Sequence, residues 1–295
     1  MFHPINYNQP LFRPPSEAHS LIFQVTLGCS WNRCAFCDMY TSKKFSVRPL
    51  EEVYAEIDSM AALSPMTDRV FLADGNAMVL KTVRLLSILN KLKQTFPKLR
   101  RISAYALPSD LSRKSHDDLK MLKEAGLKMV YIGLETGDDE LLKKINKGET
   151  YQSSLDGCLR AKEAEIKLSV MILNGLGGVQ LSHQHAVHSA ELVNQIQPEY
   201  LSTLVLSFPL GLDQFKKRFD GEFTPLHTGE LLQEMGVLLS TTDLAQTVFR
   251  SDHASNYLVL RGQLNRDKEK LIQTIQLALS DPEHAPLRQE WQRGL

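Results

Sequence analysis

The sequence predicts an α/β fold: a partial (βα)6, TIM-like barrel followed by a mainly helical C-terminal extension. Three observations predict it. Short runs rich in Val, Ile, Leu, Phe and Tyr occur at 21–27, 69–73, 102–106, 128–134, 168–173 and 201–208, each the length of a strand buried in a parallel sheet. Stretches with apolar residues at helical spacing lie between them. Six such units fit into 210 residues, whereas a closed eight-unit barrel takes about 250.

The elements follow in order. After the first run, residues 50–63 place Val53, Ile57, Met60 and Ala61 on one helical face. Residues 79–96 repeat Leu at helical spacing and stop before Pro97. Residues 115–125 open on Ser115, a good cap, and end at Gly126, where a left-handed residue is expected. Helices over 153–165 and 182–196 continue the alternation. Beyond 209 it fades into helices over 228–240 and 267–279 around a polar loop at 250–257. The layout is an N-terminal arm (1–19), a (βα)6 core (20–210) and an extension (211–295) that covers the barrel opening.

Composition narrows the function. Hydrophobic residues make up 43% and charged residues 23%, too apolar a balance for disorder. Lys plus Arg is 34 and Asp plus Glu is 34, which argues against nucleic acid bound through bulk charge. No run approaches the roughly 18 apolar residues of a membrane span, and residues 1–7 are not a secretory leader, so a cytoplasmic protein with no membrane partner is expected. Four cysteines, three of them within nine residues, make a poor disulfide framework and a plausible metal site.

In a parallel βα array ligands sit at the C-terminal ends of strands. Here those ends are 28–40, 74–77, 107–109, 135–137, 174–178 and 209–211, each rich in Gly or polar residues. The first carries Cys29-x4-Cys34-x2-Cys37. Thiolates suit zinc or iron–sulfur clusters. A structural zinc site closes with four ligands, and the nearest upstream candidates, His19 and His3, lack zinc-finger spacing. Three cysteines on one loop favour a four-iron cluster with one iron open, and zinc stays as the alternative.

The loop 29–40, with Phe36 directly before the last cysteine, resembles the cluster loop of radical S-adenosylmethionine (SAM) enzymes, with one residue more between the first two cysteines than the usual C-x3-C-x2-C. The resemblance spans roughly 20–210. It includes 72–77, where the family usually has a Gly-Gly-Glu-type loop, and 131–137, similar to its Gly-Leu-Glu-Ser-Gly stretch. It implies a [4Fe-4S] cluster on Cys29, Cys34 and Cys37, whose open iron chelates the methionine portion of SAM. An external one-electron donor such as flavodoxin or ferredoxin then drives cleavage to a 5′-deoxyadenosyl radical, which abstracts hydrogen from a small-molecule substrate. On the same footing the loop Asp74, Gly75, Asn76 holds the methionine amino group by its main chain, Glu135 takes the ribose or ammonium, and the backbone around Phe36 borders adenine. Ser103, Tyr105 and Ser169 face the ligand.

Plainer roles stand beside these. The alternatives are Glu135 as a cap for the helix beginning near Asp138, Asn76 as an N-cap, and 175–178 as a tight turn. Arg160 reads as a solvated helix face, Cys158 as a buried small hydrophobe, and His183, His185 and His188 as surface or capping residues. Residues 249–257 form the densest polar run of the chain; with 12–18, they resemble segments of single-domain members of the same family. Arg250 is expected to hold a substrate carboxylate and His253 to move a proton, with Asn256 beside them. A porphyrinogen decarboxylase-like activity lies within the family analogy. Two other readings stay open: an iron–sulfur electron carrier or chaperone, and a zinc-stabilised βα binding protein.

Overall fold

A computed structural model describes residues 5–293; His3 lies outside them. An eight-stranded sheet has the order β1 (Leu21–Gln24), β4 (Arg69–Ala73), β5 (Arg101–Tyr105), β6 (Leu127–Glu135), β7 (Lys167–Asn174), β8 (Tyr200–Val205), β9 (Val248–Ser251) and β10 (Leu260–Gln263), while β2 (Thr26–Leu27) pairs with β3 (Ser46–Val47). The pairs β1–β4, β4–β5, β5–β6, β7–β8 and β8–β9 are parallel, and β9–β10 is antiparallel. The helices are α1 (Leu50–Leu63), α2 (Thr82–Thr95), α3 (Pro108–Ser112), α4 (His116–Glu124), α5 (Asp139–Lys144), α6 (Tyr151–Glu163), α7 (Gly178–Ile196), α8 (Leu212–Arg218), α9 (Thr228–Thr241) and α10 (Leu264–Ser280). This is the α/β, partial-barrel architecture the sequence predicts, with a helical C-terminal region. None of the described helices is long and apolar enough to cross a membrane.

The chain forms two compact units. The first comprises 5–32, 37–132 and 156–168. Its helices cover one side of β1, β4 and β5, with Phe23 against Phe96 at 6.4 Å between ring centroids. A second cluster there gathers Ile22, Phe71, Met129 and Tyr131 with half-buried Tyr7, Leu11 and Tyr105. Glu17, from the N-terminal arm, is buried with its carboxylate on the Tyr131 hydroxyl (2.6 Å) and Arg101 (2.8 Å). The local signals at α4 act as expected. Ser115 Oγ accepts from Asp118 N at 3.0 Å, and Gly126 takes φ +113°.

The second unit comprises 33–36, 133–155 and 169–293. Its core joins Leu141, Ile145, Leu173, Leu176 and Leu206 to a group of phenylalanines, Phe215, Phe219 and Phe223, from α8 and the loop after it.

Three expectations change. The first run breaks after Gln24, and Thr26–Leu27 turns away to pair with Ser46–Val47. The helix expected from residue 79 starts at Thr82, because Ala77–Val79 is a 3-10 turn. The polar segment 250–257 is not all loop: Val248–Ser251 runs parallel beside β8, so Arg250 lies in a strand. A four-residue strand bearing Arg and Ser is too short to show a period of two.

Candidate active site

Within the first unit, the cysteine loop is closed by one carboxylate. Gly28, with φ +72°, turns the chain out of β2 into Cys29. Asp74, directly after β4, takes Gly28 N at 3.1 Å and Lys43 Nζ at 2.8 Å on Oδ2, and Gln24 Nε2 at 3.2 Å on Oδ1. Both ends of the 28–43 loop therefore meet the same group. The Lys43 and Asp74 side chains are 5% and 0% exposed, and Lys43 also donates to Asn8 O at 2.7 Å. A buried pair survives when its remaining hydrogen-bonding positions are filled in this way.

The next two residues fasten the first cysteine. A Cβ on Gly75 would lie 2.7 Å from Cys29 Cβ and 2.9 Å from Gly28 O, so only glycine lets the loop after β4 rest on Cys29. Asn76 is buried. Its Oδ1 accepts from Ser30 N at 3.0 Å, and its Nδ2 donates to Ser30 Oγ at 2.8 Å and Asp110 Oδ2 at 2.7 Å. Burial pushes the Asp110 carboxyl up, and the bond from Asn76 opposes this. These side chains are spent on holding the cysteine loop. Asn76 precedes the 3-10 turn but makes no side-chain cap bond to it.

Within the second unit, the segment around Cys34 is gripped by its backbone. Asn146 Nδ2 donates to Arg33 O at 3.4 Å, Arg218 Nη2 to Cys34 O at 2.5 Å, and Ala35 N to Ile145 O at 2.8 Å. Ala35 and Phe36 pack into the phenylalanine-rich core, and Lys147 Nζ stands 5.7 Å from the Phe36 ring centroid.

Glu135 ends β6 with φ +67°, a conformation uncommon outside glycine. Its Oε1 meets Lys147 Nζ at 3.1 Å, while Oε2 is buried and has no partner among the described residues. Gly133 makes room: a Cβ there would fall 2.0 Å from Oε1. A buried acceptor left open is costly unless something supplies a donor. The helix after it is capped by Asp138, which accepts from Leu141 N at 2.7 Å, so capping is not the task of Glu135.

Other residues singled out in the sequence are placed as follows. Ser103 is buried with Oγ toward Val70 O at 3.4 Å, and Tyr105 stacks edge-on against Phe71 at 5.0 Å. Both are absorbed in packing. Ser169 is half-buried on β7. His253 Nδ1 accepts from Ser255 N at 3.1 Å; burial, then the Arg288 charge, pushes its pKa down. Ser255 Oγ accepts from Val205 N at 3.1 Å and Asn256 Nδ2 donates to Thr203 O at 2.9 Å, which fixes this loop at the C-terminal end of β8.

His185 is not a surface residue. It is 1% exposed, with Nδ1 on Thr136 Oγ1 at 2.8 Å and Nε2 on Leu173 O at 3.2 Å, because α7 begins four residues earlier than its polar sequence implies and turns His185 inward. His188 is partly exposed and bonds Asp138 at 2.6 Å. Lys43, Asp110, Lys147 and Arg218 were not apparent from the sequence, since each acts through a partner distant along the chain.

Cys34 and Cys158 are buried, and Cys29 and Cys37 are half-buried. His19 is exposed, and no three His, Cys, Asp or Glu side chains among the described residues are arranged around a single ion. Residues 23–189, over half the chain, match the Radical SAM superfamily. The chain belongs to that superfamily. It is an enzyme of the radical SAM class, whose cofactors are a [4Fe-4S] cluster and SAM. The chemistry of the cysteine loop fits such a cluster: it carries three soft thiols, the first seated on a glycine.

The radical SAM chain is 24% identical over 165 residues to the heme chaperone HemW of Bacillus subtilis (strain 168), 53% of this chain and 43% of that protein. The likeness to HemW of Buchnera aphidicola is 24% over 179 residues, 58% and 46%. The chain thus spans less than half the length of the curated relatives it matches. Among solved structures, coproporphyrinogen III oxidase from Escherichia coli superposes with a TM-score of 0.57 at 15% identity, over 75% of this chain and 52% of that one. Methylornithine synthase does so at 0.52 and 15%, over 76% and 63%. At these identities the likeness is one of fold.

Proposed function

We propose that this enzyme binds SAM at the strand ends and cleaves it reductively for hydrogen abstraction from a small-molecule substrate. Glu135 carries the proposal: a buried carboxylate oxygen with no partner among the described residues, held by a left-handed backbone at a strand end, is an acceptor prepared for a ribose hydroxyl or an ammonium. Cys29, Cys34 and Cys37 would hold the cluster, which when reduced by an external donor such as flavodoxin or ferredoxin supplies the one-electron chemistry for SAM cleavage. The main chain of 74–77 would take the methionine amino group, and the backbone at Phe36 would border the adenine. Ser169 lines the approach, while Arg250 and His253 contact the substrate. Anaerobic purification with iron and sulfide counts, followed by a dithionite-driven assay for 5′-deoxyadenosine, tests this. A brown protein that forms 5′-deoxyadenosine is expected. A colourless protein with one zinc overturns the proposal, and a brown one that leaves SAM intact reduces it to electron transfer.

The likeness to HemW favours a second reading, in which the chain carries heme. Saturable growth of a Soret band at one hemin per chain, without 5′-deoxyadenosine formation, would support it.

A further inference from the structure

Strands β7 to β10 of the second unit have two unlike faces. One is buried against the helices, as where Thr203 Oγ1 meets Met235 Sδ of α9 at 3.8 Å. The other is open. Across it, Met171 sits beside Ser202, Ser202 beside Arg250, and Arg250 directly opposite Arg261. Residues in register share a face, and opposed side chains start only about 5 Å apart at Cβ, where like charges destabilise the pair.

Both arginines are exposed. Arg261 spends its Nε on Asp252 at 2.7 Å. Arg250 has no carboxylate partner among the described residues; its guanidinium donates to the carbonyl of its own neighbour Phe249 at 3.0 Å. One positive charge is therefore left over. Edge strands carry charges that discourage pairing with other chains, which accounts for Arg261 on β10. It does not account for Arg250, which lies on an interior strand next to its C-terminal end, where parallel arrays bind ligands.

We propose that Arg250 and Arg261 together bind an oxyanion, a carboxylate or phosphate, so that the substrate of this enzyme is anionic. Such a site presupposes the SAM chemistry proposed above. Two guanidinium forks offer an oxyanion several charge-assisted bonds, and the anion cancels the repulsion that the opposed pair carries when empty.

The test is thermal unfolding of the cluster-loaded full chain, without SAM or reductant, in succinate or inorganic phosphate at about 50 mM, against sodium chloride of equal ionic strength. For the wild type, Tm should rise above the chloride control with at least one of the two anions; which one does so distinguishes carboxylate from phosphate. Arg250→Gln should lose that increment, and in chloride alone it should melt higher than wild type, since the opposed charge is gone. A purely structural arginine would give a lower Tm on removal. The site is refuted if neither anion raises the wild-type Tm, if the increment survives in the Arg250→Gln/Arg261→Gln double variant, or if Arg250→Gln melts lower in chloride. Failure of the SAM proposal would show separately, as wild-type protein that forms no 5′-deoxyadenosine.

Discussion

Replacing Lys43 by Met leaves the Asp74 carboxylate buried without its cation. The stem of the side chain is conserved, so the cost is electrostatic. Removing one partner of a buried ion pair typically costs about 3–5 kcal/mol. Asp74 keeps two neutral donors, Gly28 N and Gln24 Nε2, which places the expected loss near the lower end, about 3 kcal/mol. Against a total stability of about 5–15 kcal/mol that is a large fraction, readable as a lowered urea midpoint at unchanged m-value. The double variant Lys43→Met/Asp74→Leu removes both charges and should recover most of the stability, since buried pairs are often replaceable by apolar residues. It should not recover iron, because the loop 28–43 then has nothing to gather Gly28 N and residue 43. A single variant that loses less than about 1 kcal/mol, or a double variant that keeps its full iron and sulfide content, would refute the idea that Asp74 closes the cysteine loop.

What the sequence revealed is what short-range patterns encode. β4 was read at its observed bounds, and Ser115 and Gly126 delimit α4 as their chemistry requires, because each depends on residues within a turn. The cysteine spacing belongs to one loop and was legible for the same reason. The carboxylate–lysine closure at Asp74 is not, since Lys43 lies 31 residues away along the chain and nothing local marks which lysine is buried. The grip of Arg218 on Cys34 O spans 184 residues and comes from a short helix that the hydrophobic pattern did not announce. The place of Glu135 at a strand end is legible in the sequence, but its unpartnered oxygen and left-handed backbone are visible only in three dimensions. Strand β9 was missed because Phe-Arg-Ser reads as polar loop; the inward Phe249, 0% exposed, was its one signal.

Three further outcomes can be checked. Gly75→Ala should destabilise by about 1–3 kcal/mol and lower iron content, because the new methyl meets backbone and Cβ atoms of Cys29 that cannot swing away; full iron loading would mean the contact is dispensable. Ala in place of Cys29, Cys34 or Cys37 should abolish the iron chromophore, whereas Cys158→Ala, at a buried position outside the loop, should keep it; a full chromophore in Cys34→Ala would remove that residue from the ligand set. The last concerns pH. His253 lies below its ordinary 6.5, first through burial and then through the Arg288 charge, with Asp252 opposing. Its Nδ1 already accepts from Ser255 N, so protonation there would break a bond as well as bury a charge. A depressed folded-state pKa makes this contribution full above the unfolded value, about 6.5, and lost as pH falls through the folded one. The wild type should therefore lose more stability between pH ~7.5 and ~5.5 than His253→Asn, whose side-chain oxygen can accept the same backbone bond without titrating. Parallel stability curves for the two proteins across that window would show that His253 does not carry the pH dependence.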